Sequence, residues 1–258
     1  MDSDSEEAPG RLPKNIGQAA SQGDFERVKA WLAAGSASDP RSVNSSDESG
    51  WTLLHWTSLS GTRTPEYVEF ARYLLSQGAR VDAKTDEGQT ALHFLCARSS
   101  RGIGEATAAL VSMLVAAGAT VNIAARAMDA TPLFIIDEVN EWTLHIVTTL
   151  LRAGASLDYK DRQGSIQRFE EHLNSIDSLY FEQRAVRAVR DLVASVRAAG
   201  SWKAHCRLPH KQILRLRSLV ARGRTKERLA TTRAIRFIVR QGDNGIVWNI
   251  LSYWRETG

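Results

Sequence analysis

The apolar residues between positions 88 and 122 recur at helical spacing in two separate stretches. Leu92 and Leu95 lie three residues apart in the first stretch, and Leu110 and Leu114 lie four residues apart in the second. Residues at these spacings share one face of an α-helix. The pattern therefore predicts two short helices, each with one apolar face, joined by a loop.

The residues that flank these stretches have the properties of helix boundaries. Thr90 can cap the first helix by accepting a backbone N–H bond. Gly118 suits the left-handed conformation that ends many helices, and Val121 and Asn122 then begin an extended arm. The whole segment is predicted to be helix, loop, helix and hairpin.

The same order of features occurs elsewhere in the chain. Gly50–His55 opens a second copy and Gly78–Asp82 closes it, while Ala130–Phe134 opens a third and Gly154–Asp158 closes it. A copy with a degenerate opening, residues 18–35, precedes them. The chain is therefore predicted to be built from repeated helix pairs.

This recurring unit resembles the ankyrin repeat, whose signature is Thr-Pro-Leu-His followed by an alanine-rich first helix. Gly-Gln-Thr-Ala-Leu-His at 88–93 and Ala-Thr-Pro-Leu-Phe at 130–134 carry the resemblance. It covers residues 15–164 as four recognisable units. The resemblance implies an all-α solenoid of stacked helix pairs with short hairpin loops.

The predicted units are longer than the usual ankyrin period of about 33 residues. Thr52 and Thr90 are 38 residues apart, and Thr90 and Thr131 are 41 apart. The spacing from Gly78 to Thr90 matches the family, so the extra residues are expected between the two helices of a unit. We place them around residues 62–65 and 99–104.

The sequence on either side of these units predicts three further segments. Residues 1–14 are acidic and are expected to be a disordered N-terminus. Residues 165–201 lack the signature but carry valines at helical spacing from Val186 to Val196, and we assign them to a divergent fifth unit that caps the array. Residues 202–258 are predicted to form a basic, helical C-terminal segment.

The composition shows an uneven distribution of charge along the chain and indicates a cellular compartment. Residues 202–258 hold 13 lysines and arginines against three acids, a net charge of +10, which leaves −6 for the rest of a chain whose total is +4. Only Cys96 and Cys206 are present, which fits a reducing compartment. No apolar run approaches the roughly 20 residues needed to cross a bilayer. We expect an intracellular protein, cytoplasmic or nuclear, that is monomeric.

No pattern in the sequence indicates catalysis or metal binding. His205, Cys206 and His210 lack the paired spacing of a structural zinc site. Asp137 and Glu138 are predicted to end a first helix, where adjacent side chains point about 100° apart and cannot share a proton. The resemblance implies that the motif histidines, His55 and His93, bond backbone between repeats. We expect no enzyme activity, no cofactor and no metal ion.

The resemblance implies a concave protein-binding face made of hairpin tips and first helices. Tryptophan and charged side chains, which protein interfaces use as anchors, fall at these positions. The candidate partner-binding residues are Asp47, Glu48, Trp51, Trp56, Asp86, Glu87, Gln89, Arg126, Asp129, Arg162 and Gln163. We therefore expect a non-enzymatic scaffold that binds a protein partner through this face.

The C-terminal segment leaves several alternatives open. Its first helix is predicted to begin at Pro209 and to end near Arg222, and a second is predicted from Val247 to Trp254. These helices either cap the array or form a SOCS-box-like or F-box-like element, which would make the protein a substrate adaptor of a ubiquitin ligase. The arginines around residue 224 lack neighbouring aromatic residues, which argues against nucleic-acid binding. The candidate docking residues of the tail are Arg222, Arg224, Lys226, Arg228, Trp248 and Trp254.

Overall fold

The computed structural model describes residues 11–35, 41–59, 64–97, 104–176 and 183–221, which are mostly helical. The helices are α1 (Lys14–Gln22), α2 (Phe25–Ala33), α3 (Leu53–Leu59), α4 (Pro65–Ser76), α5 (Ala91–Cys96), α6 (Glu105–Ala116), α7 (Glu141–Arg152), α8 (Phe169–Ser175), α9 (Gln183–Ala199) and α10 (Trp202–Ala221). A 3-10 turn spans Pro132–Ile135, and two strands are β1 (Asp158–Lys160) and β2 (Ile166–Arg168). By its contacts the chain divides into two units, Met1–Asp191 and Leu192–Gly258.

The helices of the first unit pack in two rows, as the repeat predicts. The first helices contact one another in the order α1, α3, α5, 3-10 turn and α8, while the second helices α4, α6 and α7 contact one another in order. Thr52, Thr90 and Thr131 each immediately precede a first helix, and all three are buried. Equivalent residues therefore occupy equivalent corners of successive helix pairs.

The second helices end in the same way in three consecutive units. Gly78, Gly118 and Gly154 follow α4, α6 and α7 with φ values of 84°, 91° and 93°. In each case the residue after the glycine donates its N–H to a leucine carbonyl in the last turn, at 2.9–3.0 Å. This confirms the prediction for Gly118, because glycine adopts a positive φ without steric cost.

α3 ends at Leu59 and α4 begins at Pro65, while α5 ends at Cys96 and α6 begins at Glu105. Most of the residues predicted to be extra, around 62–65 and 99–104, lie outside the described residues. The connection between α1 and α2 is only Gly23 and Asp24, with Asp24 accepting a bond from the N–H of Arg27 at 3.3 Å.

The fourth unit departs from the prediction because its first helix is a single 3-10 turn. Ile136 already has extended backbone (φ −62°, ψ 113°), so Asp137 and Glu138 do not end a helix. Ile136 and Val139 are both buried, and Asn140 then caps α7 by accepting the N–H groups of Trp142 and Thr143. Burial of the two apolar side chains favours the extended path over a second helical turn.

A short antiparallel pair of strands lies between the fourth and fifth units of a mostly helical chain, which fits the predicted all-α repeat fold. β1 pairs with β2 in the register Asp158–Arg168, Tyr159–Gln167 and Lys160–Ile166. The turn between them is closed by the N–H of Asp161, which donates to the carbonyl of Ser165 at 3.0 Å. The predicted hairpin tip at residues 161–164 is therefore present, on longer arms than in the other units.

The folded part of the chain begins earlier than the predicted tail boundary at residue 14. Leu12 is only 1% exposed, and its N–H donates to the carbonyl of Ser46 at 3.1 Å. α1 then begins at Lys14. Leu12 is therefore part of the folded structure, whereas the sequence predicted a disordered tail up to residue 14.

The C-terminal region differs from the prediction in two places. The contact division falls inside α9, before the predicted boundary at residue 202. α10 runs continuously from Trp202 to Ala221, so Pro209 lies in its interior instead of starting a helix, although proline removes one N–H from the helical ladder. The predicted second tail helix and the docking residues Arg222, Arg224, Lys226, Arg228, Trp248 and Trp254 lie outside the described residues.

The valine stripe predicted for α9 is buried at Val186, Val189, Val193 and Val196. Along the described parts of the chain, no helix combines the length and the apolar character that crossing a membrane requires.

Candidate protein-interaction site

The hairpin tips are residues 47–51, 85–88, 126–129 and 161–164, and each is bonded to the next. The N–H of Asp86 donates to the carbonyl of Ser49 at 3.0 Å. The N–H of Arg126 donates to the carbonyl of Glu87 at 2.7 Å. The N–H of Arg162 donates to the Asp129 carboxylate at 2.8 Å. These bonds hold the four tips in a fixed order along one edge of the first unit.

The tip at residues 47–51 is closed by its own aspartate. Asp47 Oδ1 accepts the N–H of Ser49 at 2.9 Å and the N–H of Trp51 at 3.0 Å. Gly50 has a φ of 77°, which completes the turn. The Asp47 side chain is therefore a structural acceptor as well as a charge at the tip, and it fixes the backbone of Trp51.

Three aromatic side chains meet beside this tip, and we call Trp51, Trp56 and Phe94 the aromatic cluster. The ring centroid of Trp51 lies 5.1 Å from that of Trp56 and 4.5 Å from that of Phe94. All three are partly exposed. On α3, Leu59 lies three residues after Trp56, on the same helix face, and is 39% exposed. Trp56 and Leu59 therefore present apolar side chains on the same side of α3.

Trp56 is held from two directions. Its indole N–H donates to Asp47 Oδ2 at 3.2 Å. Its ring lies against α1 at Gly17, where an added Cβ atom would be 2.6 Å from the indole nitrogen. Glycine at this helical position therefore makes room for the indole, and the tip aspartate sets its orientation.

The motif histidines bond neighbouring units, as the resemblance implies. In both His55 and His93, Nδ1 accepts the N–H of the threonine that precedes the helix, at 3.0 Å. Nε2 is then the protonated nitrogen, and it donates to Ala83 or Ile123 in the next hairpin, at 3.0 Å. Desolvation by burial lowers the pKa of each imidazole to about 4, although the backbone bonds oppose this shift.

The threonines bond the histidines of their own units. Thr52 Oγ1 and Thr90 Oγ1 lie 2.9 and 2.8 Å from the imidazole Nδ1, which carries no proton, so each hydroxyl is a donor to the ring. The Thr90 side chain also forms a capping box with the backbone of His93, as the sequence predicted.

A second set of bonds between units was not predicted. Asn44, Asp82 and Asn122 each reach the segment after the next second helix. Asn122 donates to the carbonyl of Gly154 and accepts the N–H of Ser156, both at 2.9 Å, and Asn44 does the same at Gly78 and Arg80. Asp82 accepts the N–H of Thr120 at 2.9 Å. These three residues recur at nearly constant spacing in the sequence, and this recurrence could have predicted their shared role.

The comparison with protein families agrees with this geometry. A family model of ankyrin repeats matches residues 16–125 as three copies. Residues 16–125 are ankyrin repeats. The matched residues cover the first three helix pairs, α1 to α6. A comparison with curated proteins found no match.

Ankyrin repeats are generally protein-interaction modules and are typically not enzymes. Nothing found in this protein indicates catalysis. Among the described residues, no group of three or more His, Cys, Asp or Glu could hold a metal ion. The side chains that matter in this site are therefore those exposed at its surface.

In this ankyrin array, the acidic candidates differ in how they are bonded. Glu48 lies 3.5 Å from Arg11 and 3.6 Å from Lys14. Asp86 and Glu87 are exposed, and within the described ranges neither forms an ion pair. Their carboxylates are therefore the ones most available to a partner.

The remaining candidates lie at or below the later tips. Gln89 is buried and its amide faces Met128 Sδ at 3.6 Å, so it supports the surface from beneath. Asp129 and Arg162 are committed to each other, with 3.7 Å between Oδ1 and Nε. The Arg162 guanidinium also donates to the carbonyl of Arg126. Arg126 and Gln163 are exposed.

Phe94 is the site residue that sequence reasoning missed. It directly follows the motif histidine His93, as Trp56 follows His55. An aromatic residue at the same position of two consecutive ankyrin units was a visible signal. Its contact with Trp51, which belongs to the preceding unit, depends on how the units pack.

Proposed function

We propose that the protein is a non-enzymatic scaffold that binds a partner protein through its hairpin tips and first helices. In this proposal the helix pairs form a solenoid, and the partner lies along its concave face. The observation that carries the proposal is the aromatic cluster. Partly exposed tryptophans grouped in one place are the residues most enriched at the energetic centre of protein interfaces.

The way the cluster is held supports a binding role. The Asp47 bonds fix the Trp51 backbone and the Trp56 indole, and backbone bonds connect the tips. A surface that is already ordered loses little conformational entropy when a partner binds. Rigid aromatic anchors on such a surface give specificity at a low entropic cost.

The charged tips complete the proposed face. Asp86 and Glu87 lie next to the cluster, and Arg126, Asp129, Arg162 and Gln163 extend the face toward the fifth unit. Charges at the rim of an interface mainly affect association rate and partner choice. We therefore assign most of the binding energy to the cluster and the selectivity to the tips.

The proposal can be tested by purifying partners of the full-length protein from cells. Trp51→Ala and Glu87→Lys should each lose partners that the unchanged protein retains. Trp142→Ala is the matched control, because Trp142 is also partly exposed but lies on the second helix α7. Circular dichroism should show that all variants are folded. An identical partner set for all four proteins would overturn the proposal.

A ubiquitin-ligase adaptor is the alternative function that the sequence suggested. It depends on the C-terminal helices of residues 202–258, most of which lie outside the described residues. Removing residues 222–258 should abolish co-purification of ligase subunits and leave substrate binding intact if the alternative is correct. Insolubility of the shortened protein would instead favour the capping role. We place the protein inside the cell, in the cytoplasm or the nucleus, and expect a monomer.

A further inference from the structure

We infer that the aromatic cluster binds a basic side chain, preferably arginine, in an extended segment of the partner protein. This inference rests on the proposed function and adds the chemical class of the ligand. It follows from the charges that surround Trp51, from the rings themselves, and from the way this protein covers its other aromatic residues.

Two carboxylates lie against the backbone of the tip that carries Trp51. Asp47 is bonded to the backbone N–H of Trp51. Asp86 approaches from the neighbouring tip, where its Oδ1 lies 3.2 Å from the position that a Cβ atom on Gly50 would take. Glu87 is the next residue along the same tip and is exposed. A cation that reaches Trp51 would therefore meet carboxylates from two tips at once.

The basic side chains nearby do not cancel these charges at Trp51. Arg11 and Lys14 both lie against Glu48. The positive charge of Lys84 acts on His93, where it helps to lower the pKa of the imidazole. Arg126 follows Glu87 at the next tip, on the side away from Trp51. In the described parts of the chain, Asp86 and Glu87 have no ion-pair partner.

The aromatic rings, together with the carboxylates, can bind a cation. A guanidinium or ammonium group is attracted to the face of an aromatic ring, most strongly to tryptophan and most often from arginine. Among the second helices, two aromatic rings have a cation from the protein itself over their faces. The Arg41 guanidinium lies 5.4 Å from the Trp31 ring, and Lys29 Nζ lies 5.7 Å from the Tyr73 ring.

Trp51 and Trp56 have no such cation among the described residues. The tryptophans of the proposed binding face are therefore open to a cation from another molecule, with carboxylates already in place. An acidic segment would place like charges against Asp47 and Asp86, which is unfavourable. A purely apolar segment would desolvate these carboxylates without a counter-charge, which is also unfavourable.

A selection experiment on the full-length protein tests this inference. A random twelve-residue peptide display library should be panned against the unchanged protein and, in parallel, against Trp51→Ala, Asp86→Asn and the control Trp142→Ala. We expect arginine-containing peptides to be enriched on the unchanged protein and on the control, and to be depleted on the Trp51 and Asp86 variants.

Binding measurements with the tightest-binding peptide then give the size of the effect. Replacing its arginine with glutamine, or Trp51 with alanine in the protein, should weaken binding about 3- to 30-fold. Asp86→Asn should weaken it less, and the loss should shrink as salt is raised because exposed charges are screened. Glu141→Gln, an exposed acid on α7, should have no effect.

Each other outcome has a definite meaning. Trp51-dependent peptides that are not basic would overturn the ligand class and leave the proposed function standing. Peptides that bind all variants equally would overturn both. Enrichment of no peptide would overturn recognition of an extended basic segment. If a synthetic peptide of residues 222–236 of this chain binds in a Trp51-dependent way and displaces the selected peptide, the occupant is the protein's own tail and the partner assignment is wrong.

Discussion

The buried histidines make a quantitative prediction about how the stability of this protein depends on pH. His55 and His93 are each 1% exposed and donate through Nε2 to the next hairpin. Burial lowers the pKa of both to about 4 from an ordinary value of 6.5. The native state therefore keeps both rings neutral at pH 5, whereas the unfolded chain protonates them.

The sign follows from proton linkage. Between pH 6.5 and 4 the unfolded state binds more protons, so the free energy of unfolding falls as the solution becomes more acidic. At pH 7.5 and above, these two groups contribute no pH dependence. Going from pH 7.5 to pH 5, each histidine should lower the free energy of unfolding by about 2 kcal/mol, and the pair by about 4 kcal/mol.

The fourth unit of the chain suggests a substitution that tests this prediction. Phe134 occupies the motif-histidine position of the fourth unit, so His93→Phe introduces a side chain that this position accepts elsewhere. At pH 7.5 the variant should lose about 1–3 kcal/mol, because the carbonyl of Ile123 and the N–H of Thr90 lose their partner. Its further loss between pH 7.5 and 5 should be about 2 kcal/mol, half that of the unchanged protein.

Urea unfolding at pH 7.5, 6.5, 5.5 and 5, followed by circular dichroism and tryptophan fluorescence, measures these differences. The control variant is His145→Gln, at a histidine that is exposed on α7. If His93→Phe and the unchanged protein lose the same free energy over this range, the buried histidine is not neutral in the native state and the reasoning fails.

Three further predictions concern single positions. Gly17→Ala should displace the Trp56 indole, changing tryptophan fluorescence and weakening partner binding, while circular dichroism shows intact helices; an unshifted emission spectrum would contradict the tight contact. Asn122→Ala should lower the free energy of unfolding by roughly 1–2 kcal/mol in urea titrations, because its two bonds to the next unit are lost. Gly118→Ala should destabilise the protein by about 1 kcal/mol and lower its melting temperature, because alanine strains the left-handed helix end; an unchanged melting temperature would argue against that conformation.

Local signals predicted the recurring unit well, because each is decided within a few residues. Gly118 ends a helix since its backbone is left-handed, whatever the rest of the fold does. The fourth unit shows the limit of such signals. Ala130–Phe134 predicts a full first helix, but burial of Ile136 and Val139 against the array produces an extended segment after one turn.

The C-terminal region was harder to predict because its sequence carries conflicting signals. Pro209 usually starts a helix, yet here α10 continues through it over 20 residues. Similarly, the sequence of residues 158–168 predicted only a hairpin tip and no strands. The paired strands on either side of the tip depend on contacts between residues up to ten positions apart.

The candidate site was partly visible in the sequence. Trp51 and Trp56 lie at positions where an ankyrin unit presents side chains, so both were predicted. Phe94 joins them only through the packing of α5 against α3. The role of Asp47 in holding the Trp56 indole depends on the same folded geometry, and periodicity alone cannot supply it.

Site-directed photo-crosslinking in cells tests the central claim most directly, because it reports which face a partner contacts. A photoreactive amino acid should be placed at Leu59, which is exposed beside the aromatic cluster on α3, and, in a second protein, at Arg72, which is exposed on α4. We predict a crosslinked partner from position 59 that is lost when Trp51→Ala is added, and no such product from position 72. Crosslinking of the same partner from position 72 alone, or from position 59 regardless of Trp51, would contradict binding through the aromatic cluster.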